Sequence, residues 1–97
     1  MLFMIVERFA DNDMRPVYRR LAERGRQLPD GLRYVDSWVE ADFSRCFQLM
    51  ESSDAGLIEA WTREWDGCGV TFEEITPVLP SAEARRRVEQ GEAPVSG

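Results

Sequence analysis

Between Leu32 and Glu51 apolar and polar residues alternate, pause over a short polar stretch, and alternate again. A period of two predicts β-strand. The pause at Ala41–Ser44 predicts a hairpin, with one strand over about Leu32–Glu40 and the next over about Arg45–Glu51. Strict alternation puts Val35, Ser37 and Val39 on one side of the first strand, and Tyr34, Asp36, Trp38 and Glu40 on the other. In the second strand Phe47 and Leu49 face one way, and Cys46, Gln48 and Met50 the other.

The flanking chain supplies the remaining elements. Leu2–Val6 is wholly apolar and continues through Glu7-Arg8-Phe9, which suits a central strand buried on both faces. Asp11, Asn12 and Asp13 are each able to cap a helix. Met14, Val17, Tyr18, Leu21, Gly25 and Leu28 then recur at steps of three and four, a helical stripe, with Pro16 tolerated in the first turn. Pro29-Asp30-Gly31 ends this helix. Ser52-Ser53-Asp54 precedes a second, with Asp54 the best cap and Leu57, Ile58, Trp61 and Trp65 its stripe. Gly67-Cys68-Gly69 stops it, and Val70–Val78 reads as a fourth strand. Ser81–Gln90 is a short polar helix capped by Ser81, and Gly91–Gly97 a frayed tail.

The order βαββαβ with right-handed crossovers predicts an α+β fold of ferredoxin-like type. Its four-stranded antiparallel sheet carries two helices on one face. Residues 1–80 form this one domain, and 81–97 the extra helix and tail. The helices are expected to cover the more apolar alternates, Val35, Val39, Phe47 and Leu49. The opposite face then carries Tyr34, Asp36, Trp38, Cys46, Gln48 and Met50. Large aromatics beside Asp and Gln need cover, and the same face of a second copy supplies it. The expectation is a homodimer through the sheet faces, a dimeric α+β barrel with a pocket between the sheets.

Composition narrows the chemistry. The chain has 97 residues and a net charge of −6. That sign argues against a nucleic-acid partner and against an anionic membrane surface. No apolar run approaches the ~18 residues of a membrane span. Met1–Val6 lacks a basic leader and a small-residue cleavage site, so a cytoplasmic protein is expected. All 12 basic residues are arginine, which excludes Schiff-base lysine chemistry. Histidine is absent, so a Ser-His-Asp or Cys-His triad and a histidine-ligated haem are excluded within the chain. Cys46 and Cys68 lack metal-ligand spacing. No cofactor and no metal are expected.

The block RGRQLPDGLRYVDSWVEADFSRCFQLMESSD (Arg24–Asp54), together with MLFMIVERF at the start, resembles the bacterial domain-of-unknown-function family numbered 3303, over roughly Met1–Ser81. That family is similar to the dimeric α+β barrel superfamily. The resemblance implies the same fold and carries no catalytic residue with it. The wider superfamily includes cofactor-independent oxygenases, isomerases, cyclases and haem enzymes. Several of them use a pocket histidine that this chain lacks.

Candidate residues each have a functional and a structural reading. Asp36 beside Trp38 suits a desolvated carboxylate base against an aromatic wall, or a polar pair at a dimer seam. Tyr34 and Gln48 suit orientation of a substrate oxygen, or satisfaction of Asp36. Glu7 becomes a second acid/base beside Gln48 if Phe3 and Ile5 also face the pocket. Cys46 and Met50 line the same face, and Cys46 reads as a small buried residue rather than a nucleophile. Arg26 and Arg45 suit clamping of a carboxylate substrate, with a structural ion pair favoured for Arg45. Trp61 and Trp65 read as core. Arg85-Arg86-Arg87, among Glu83, Glu89 and Glu92, reads as a solvated helix face.

Two functions from different classes fit. One is small-molecule binding or cofactor-free proton transfer, such as isomerisation, cyclisation or dehydration, with oxygenation of an electron-rich aromatic as a variant. The other is a non-catalytic dimeric accessory module.

Overall fold

The computed structural model describes residues 1–92. Its elements are β1 (Leu2–Phe9), a 3₁₀ turn (Ala10–Asn12), α1 (Arg15–Arg24), β2 (Leu32–Val39), β3 (Arg45–Ser52), α2 (Ala55–Arg63), β4 (Val70–Val78) and α3 (Ser81–Glu89). The four strands form one sheet in the order β2-β3-β1-β4, and every neighbouring pair is antiparallel. This is the ferredoxin-like arrangement, with α3 added after β4. The expected tail falls largely on residues 93–97, outside the described residues.

The all-apolar start of the chain becomes β1, the strand between β3 and β4. Phe3 is paired with Met50, Ile5 with Gln48 and Glu7 with Cys46, and these six share one face. The helices cover that face. Ile58 and Trp61 of α2 join Phe3, Ile5, Leu32 and Met50 in the main core, and Val17 and Leu21 of α1 pack against it. Ile5, Met50, Ile58 and Trp61 are fully buried. Each such side chain contributes about 1.5–3 kcal/mol by leaving water.

The structure corrects the assignment of faces. Along β3 the buried residues are Cys46, Gln48, Met50 and Ser52, so these point toward the helices, while Phe47 and Leu49 lie on the opposite, open face. Leu2, Met4 and Val6 share that open face through their pairing with Glu51, Leu49 and Phe47. Both faces of the sheet are apolar, so hydrophobicity alone did not separate them. In β2 the alternation itself breaks. Tyr34 pairs with Met50 but Asp36 pairs with Leu49, so Val35 is an extra residue, a β-bulge. Tyr34, Ser37 and Val39 therefore share the helix side with Met50, Gln48 and Cys46, whereas Asp36 and Trp38 turn to the open face.

Helix ends also differ from the periodicity. α1 stops at Arg24 because Gly25 takes φ +67°, and its N–H bonds the Leu21 carbonyl at 2.8 Å. Leu28 still packs on the core, from the following loop. α2 begins as expected, with Asp54 Oδ1 accepting from the Gly56 N–H at 2.8 Å. It ends at Arg63, and Trp65 follows in the turn, edge-to-face with Trp61 at 6.2 Å. The position before α3 is Pro80, and Ser81 is its first residue. This helix buries none of its residues, and Glu83 pairs with Arg86 and Arg87 on its surface.

Candidate functional site

A cavity of about 100 Å³ lies between the helix side of the sheet and the two helices. Glu7, Phe9, Cys46, Gln48, Val70 and Phe72 form its floor. Met14, Val17, Tyr18 and Leu21 of the α1 segment and Trp61 and Trp65 of the α2 segment form its walls. Arg26, Ser37 and Val39 close one side. Met14 and Tyr18 also border a broader surface depression that includes Asp11, Asn12, Asp13 and Phe43.

Glu7 is the polar centre. It is 4% exposed, between Cys46 on one neighbouring strand and Phe72 on the other. The Gln48 amide nitrogen donates to its carboxyl. Burial pushes the Glu7 pKa up to about 7, opposed in part by the Gln48 hydrogen bond and the Arg26 charge. The carboxyl is thus divided between acid and base near neutrality, as a proton-transfer group requires. Gln48 Oε1 is buried and has no partner among the described residues. When Glu7 is protonated, a turned amide lets the carboxyl O–H donate to that oxygen, so the pair satisfies either protonation state.

The Cys46 thiol faces the same cavity and is pushed up to about 12, by burial first and by the Glu7 charge second. A thiol held protonated is a poor nucleophile. Arg26 lies with its guanidinium 3.5 Å from the centroid of the Tyr34 ring. The Tyr34 hydroxyl shares a 2.7 Å hydrogen bond with Ser37 Oγ. The Arg26 carbonyl accepts the Trp61 indole N–H at 2.7 Å, which ties the α1–β2 loop to α2. Among the described residues Arg26 forms no ion pair. The Trp65 indole N–H is buried and has no acceptor among the described residues.

The structure thus gathers Glu7, Gln48, Cys46 and Arg26 in one cavity within a single chain, between sheet and helices rather than on the open face. Tyr34 supports Arg26, and Met50 is fully buried core. Asp36, Trp38 and Arg45 lie elsewhere. Asp36 is exposed on the open face and accepts from the Ser37 N–H at 2.8 Å. Trp38 is 51% exposed beside Phe47. Arg45 is paired with Glu40 and stacked near Phe47, the structural ion pair expected of it. Tyr18, Ser37, Trp61 and Trp65 were legible only as helix stripe or strand alternates. The signal for the site was Glu7 itself, a carboxyl in register with Phe3, Ile5 and Phe9.

Among the described residues no three His, Cys, Asp or Glu side chains are grouped so as to hold a metal ion. No helix there is long and apolar enough to cross a membrane. No curated protein and no solved structure matches the chain. One family model does, over residues 1–92, past the block that carries the resemblance and through α3. The chain therefore belongs to the family described as Domain of unknown function (DUF3303).

Proposed function

We propose that this protein binds a small molecule in the cavity between sheet and helices, and that Glu7 moves a proton on it without a cofactor. The observation that supports this is a buried carboxyl facing an apolar cavity, hydrogen-bonded to one amide and poised to titrate near neutrality. Proton abstraction beside an activating group, followed by return at another atom, gives isomerisation, cyclisation or dehydration. Gln48 holds Glu7 in both states, and Arg26 supplies the positive charge that faces a developing anion.

The test is a fragment screen by NMR in D2O. Fragments that enter the cavity shift the indole N–H signals of Trp61 and Trp65. Wild-type protein exchanges C–H for C–D on at least one bound fragment, while Glu7→Gln binds it and does not exchange it. Binding without Glu7-dependent exchange removes catalysis and leaves a binding protein. No binding in the cavity removes both.

A second copy is the partner we propose for the open face. Trp38 is exposed there, beside half-buried Met4, Phe47 and Leu49. Half-buried apolar side chains gathered around an exposed tryptophan favour burial against a partner. The accessory-module reading draws on this same face. It predicts that self-association persists when Glu7 is replaced.

A further inference from the structure

We propose that the molecule received by the cavity is a compact ketone, its oxygen held by Arg26 and the Trp65 indole N–H, with a C–H next to the carbonyl turned toward Glu7. This rests on reading the cavity as a small-molecule site and names the class of molecule.

Four observations converge on that class. The lining is mostly apolar side chains such as Phe9, Val17, Leu21 and Phe72, which favour a carbon skeleton. Two donors on the lining lack acceptors: the Trp65 indole N–H has none, and Arg26 has no carboxylate within ion-pair distance among the described residues. A buried unpaired donor costs about 1–3 kcal/mol, which a ligand oxygen relieves. Of the other polar groups on the lining, Glu7 and Gln48 Oε1 accept rather than donate when Glu7 is ionised, and the Ser37 hydroxyl is already engaged with Tyr34. The cavity of about 100 Å³ is smaller than the ~150 Å³ that takes benzene, so it suits roughly six non-hydrogen atoms or fewer, or one end of a longer molecule.

Charge separates a ketone from a carboxylate. A carboxylate ligand adds a second anion beside Glu7, with Arg26 the only cation on the lining among the described residues. A ketone enters uncharged. As Glu7 takes the C–H proton, the C–H electron pair forms a C=C bond and the carbonyl π pair moves to oxygen. Glu7 becomes neutral as the ligand becomes an enolate, so one negative charge faces Arg26 throughout. Return of the proton to another carbon of a conjugated enolate completes an isomerisation, with no oxidant or reductant.

The experiment compares cyclopentanone with methylenecyclopentane, which replaces the carbonyl oxygen by CH2. Binding to wild-type protein is followed by NMR through the Trp65 indole N–H signal, identified by its loss in Trp65→Phe. The ketone is expected to shift that signal and to bind at least tenfold more weakly to Arg26→Gln, while the hydrocarbon binds both proteins alike. Arg26→Lys, which keeps the charge, recovers part of the loss and stands in if Arg26→Gln does not fold. Equal binding of the two probes, unaffected by Arg26, overturns the ketone assignment while the small-molecule cavity stands. Binding of neither overturns both.

Discussion

Glu7 and Gln48 meet diagonally across β1 and β3, with the Gln48 amide donating to the Glu7 carboxyl under the cover of both helices. The nearest formal cation on the cavity lining, Arg26, is engaged with the Tyr34 ring instead of pairing with Glu7. That division leaves Glu7 with a hydrogen bond but no contact ion pair, and burial then dominates its titration.

Stability should therefore fall as pH rises through the acid-to-neutral range. Glu7 loses its proton near 4.5 in the unfolded chain and near 7 in the fold. Between those values the folded state binds more protons, so this group contributes fully below 4.5 and loses its contribution as pH approaches and passes 7. The full swing is about 3 kcal/mol. Glu7→Gln removes it, and denaturant unfolding at pH 5 and pH 8 should show the variant gaining on wild type at the higher pH.

Both cysteines should resist modification. Cys46 and Cys68 are buried, and the Cys46 thiol is pushed up to about 12. An aromatic disulfide reagent at pH 8 should label the native protein at least about a hundredfold more slowly than the denatured chain. Cys46→Ala should keep ligand binding. Loss of turnover in that variant, with binding intact, would give the thiol a chemical role.

Two glycines separate backbone strain from crowding. Gly25 has φ +67° and ψ −164°, a region almost reserved for glycine, with open space where a Cβ would project, so Gly25→Ala should cost about 1–3 kcal/mol from backbone strain alone. Gly31 has φ +92°, and its Cβ would meet Leu57 Cδ1 at 3.0 Å. Gly31→Ala adds that contact to the strain and should cost about 1 kcal/mol more, because the Leu57 side chain must give way as well. Equal losses in thermal or urea unfolding would mean that Leu57 yields freely.

Charge on the open face should break self-association. Phe47→Glu puts a carboxylate at the centre of the face we propose for a second copy. Sedimentation at micromolar concentration should show dimeric wild type and a monomeric, folded variant. A wild type that is monomeric throughout this range would leave that face to another partner.

The sequence carried the fold well and the site in part. Apolar β1, the hairpin and the Asp54 cap each follow from local rules, so element order and topology were legible. The faces were not, because Phe47 and Leu49 are as apolar as Cys46 and Met50, and only the helices decide which set is covered. Asp36 and Trp38 were grouped with Gln48 by counting in twos, and one bulge undoes that count. Glu7 was legible as a conditional candidate. Trp61 and Trp65 were read as core, and they are, but core residues also wall the cavity.

The bulge at Val35 works as a change of parity. Before it, even-numbered positions of β2 point toward the helices; after it, odd-numbered ones do. A relative without this residue would keep Tyr34 and Ser37 on the cavity side through an unbroken strand, whereas one that holds it in regular pairing would swap the downstream set, exchanging a serine at the cavity for a tryptophan. Sequence columns through this strand are therefore comparable only when counted from β3, and a single-codon deletion at Val35 would shorten the strand without changing which side chains line the pocket.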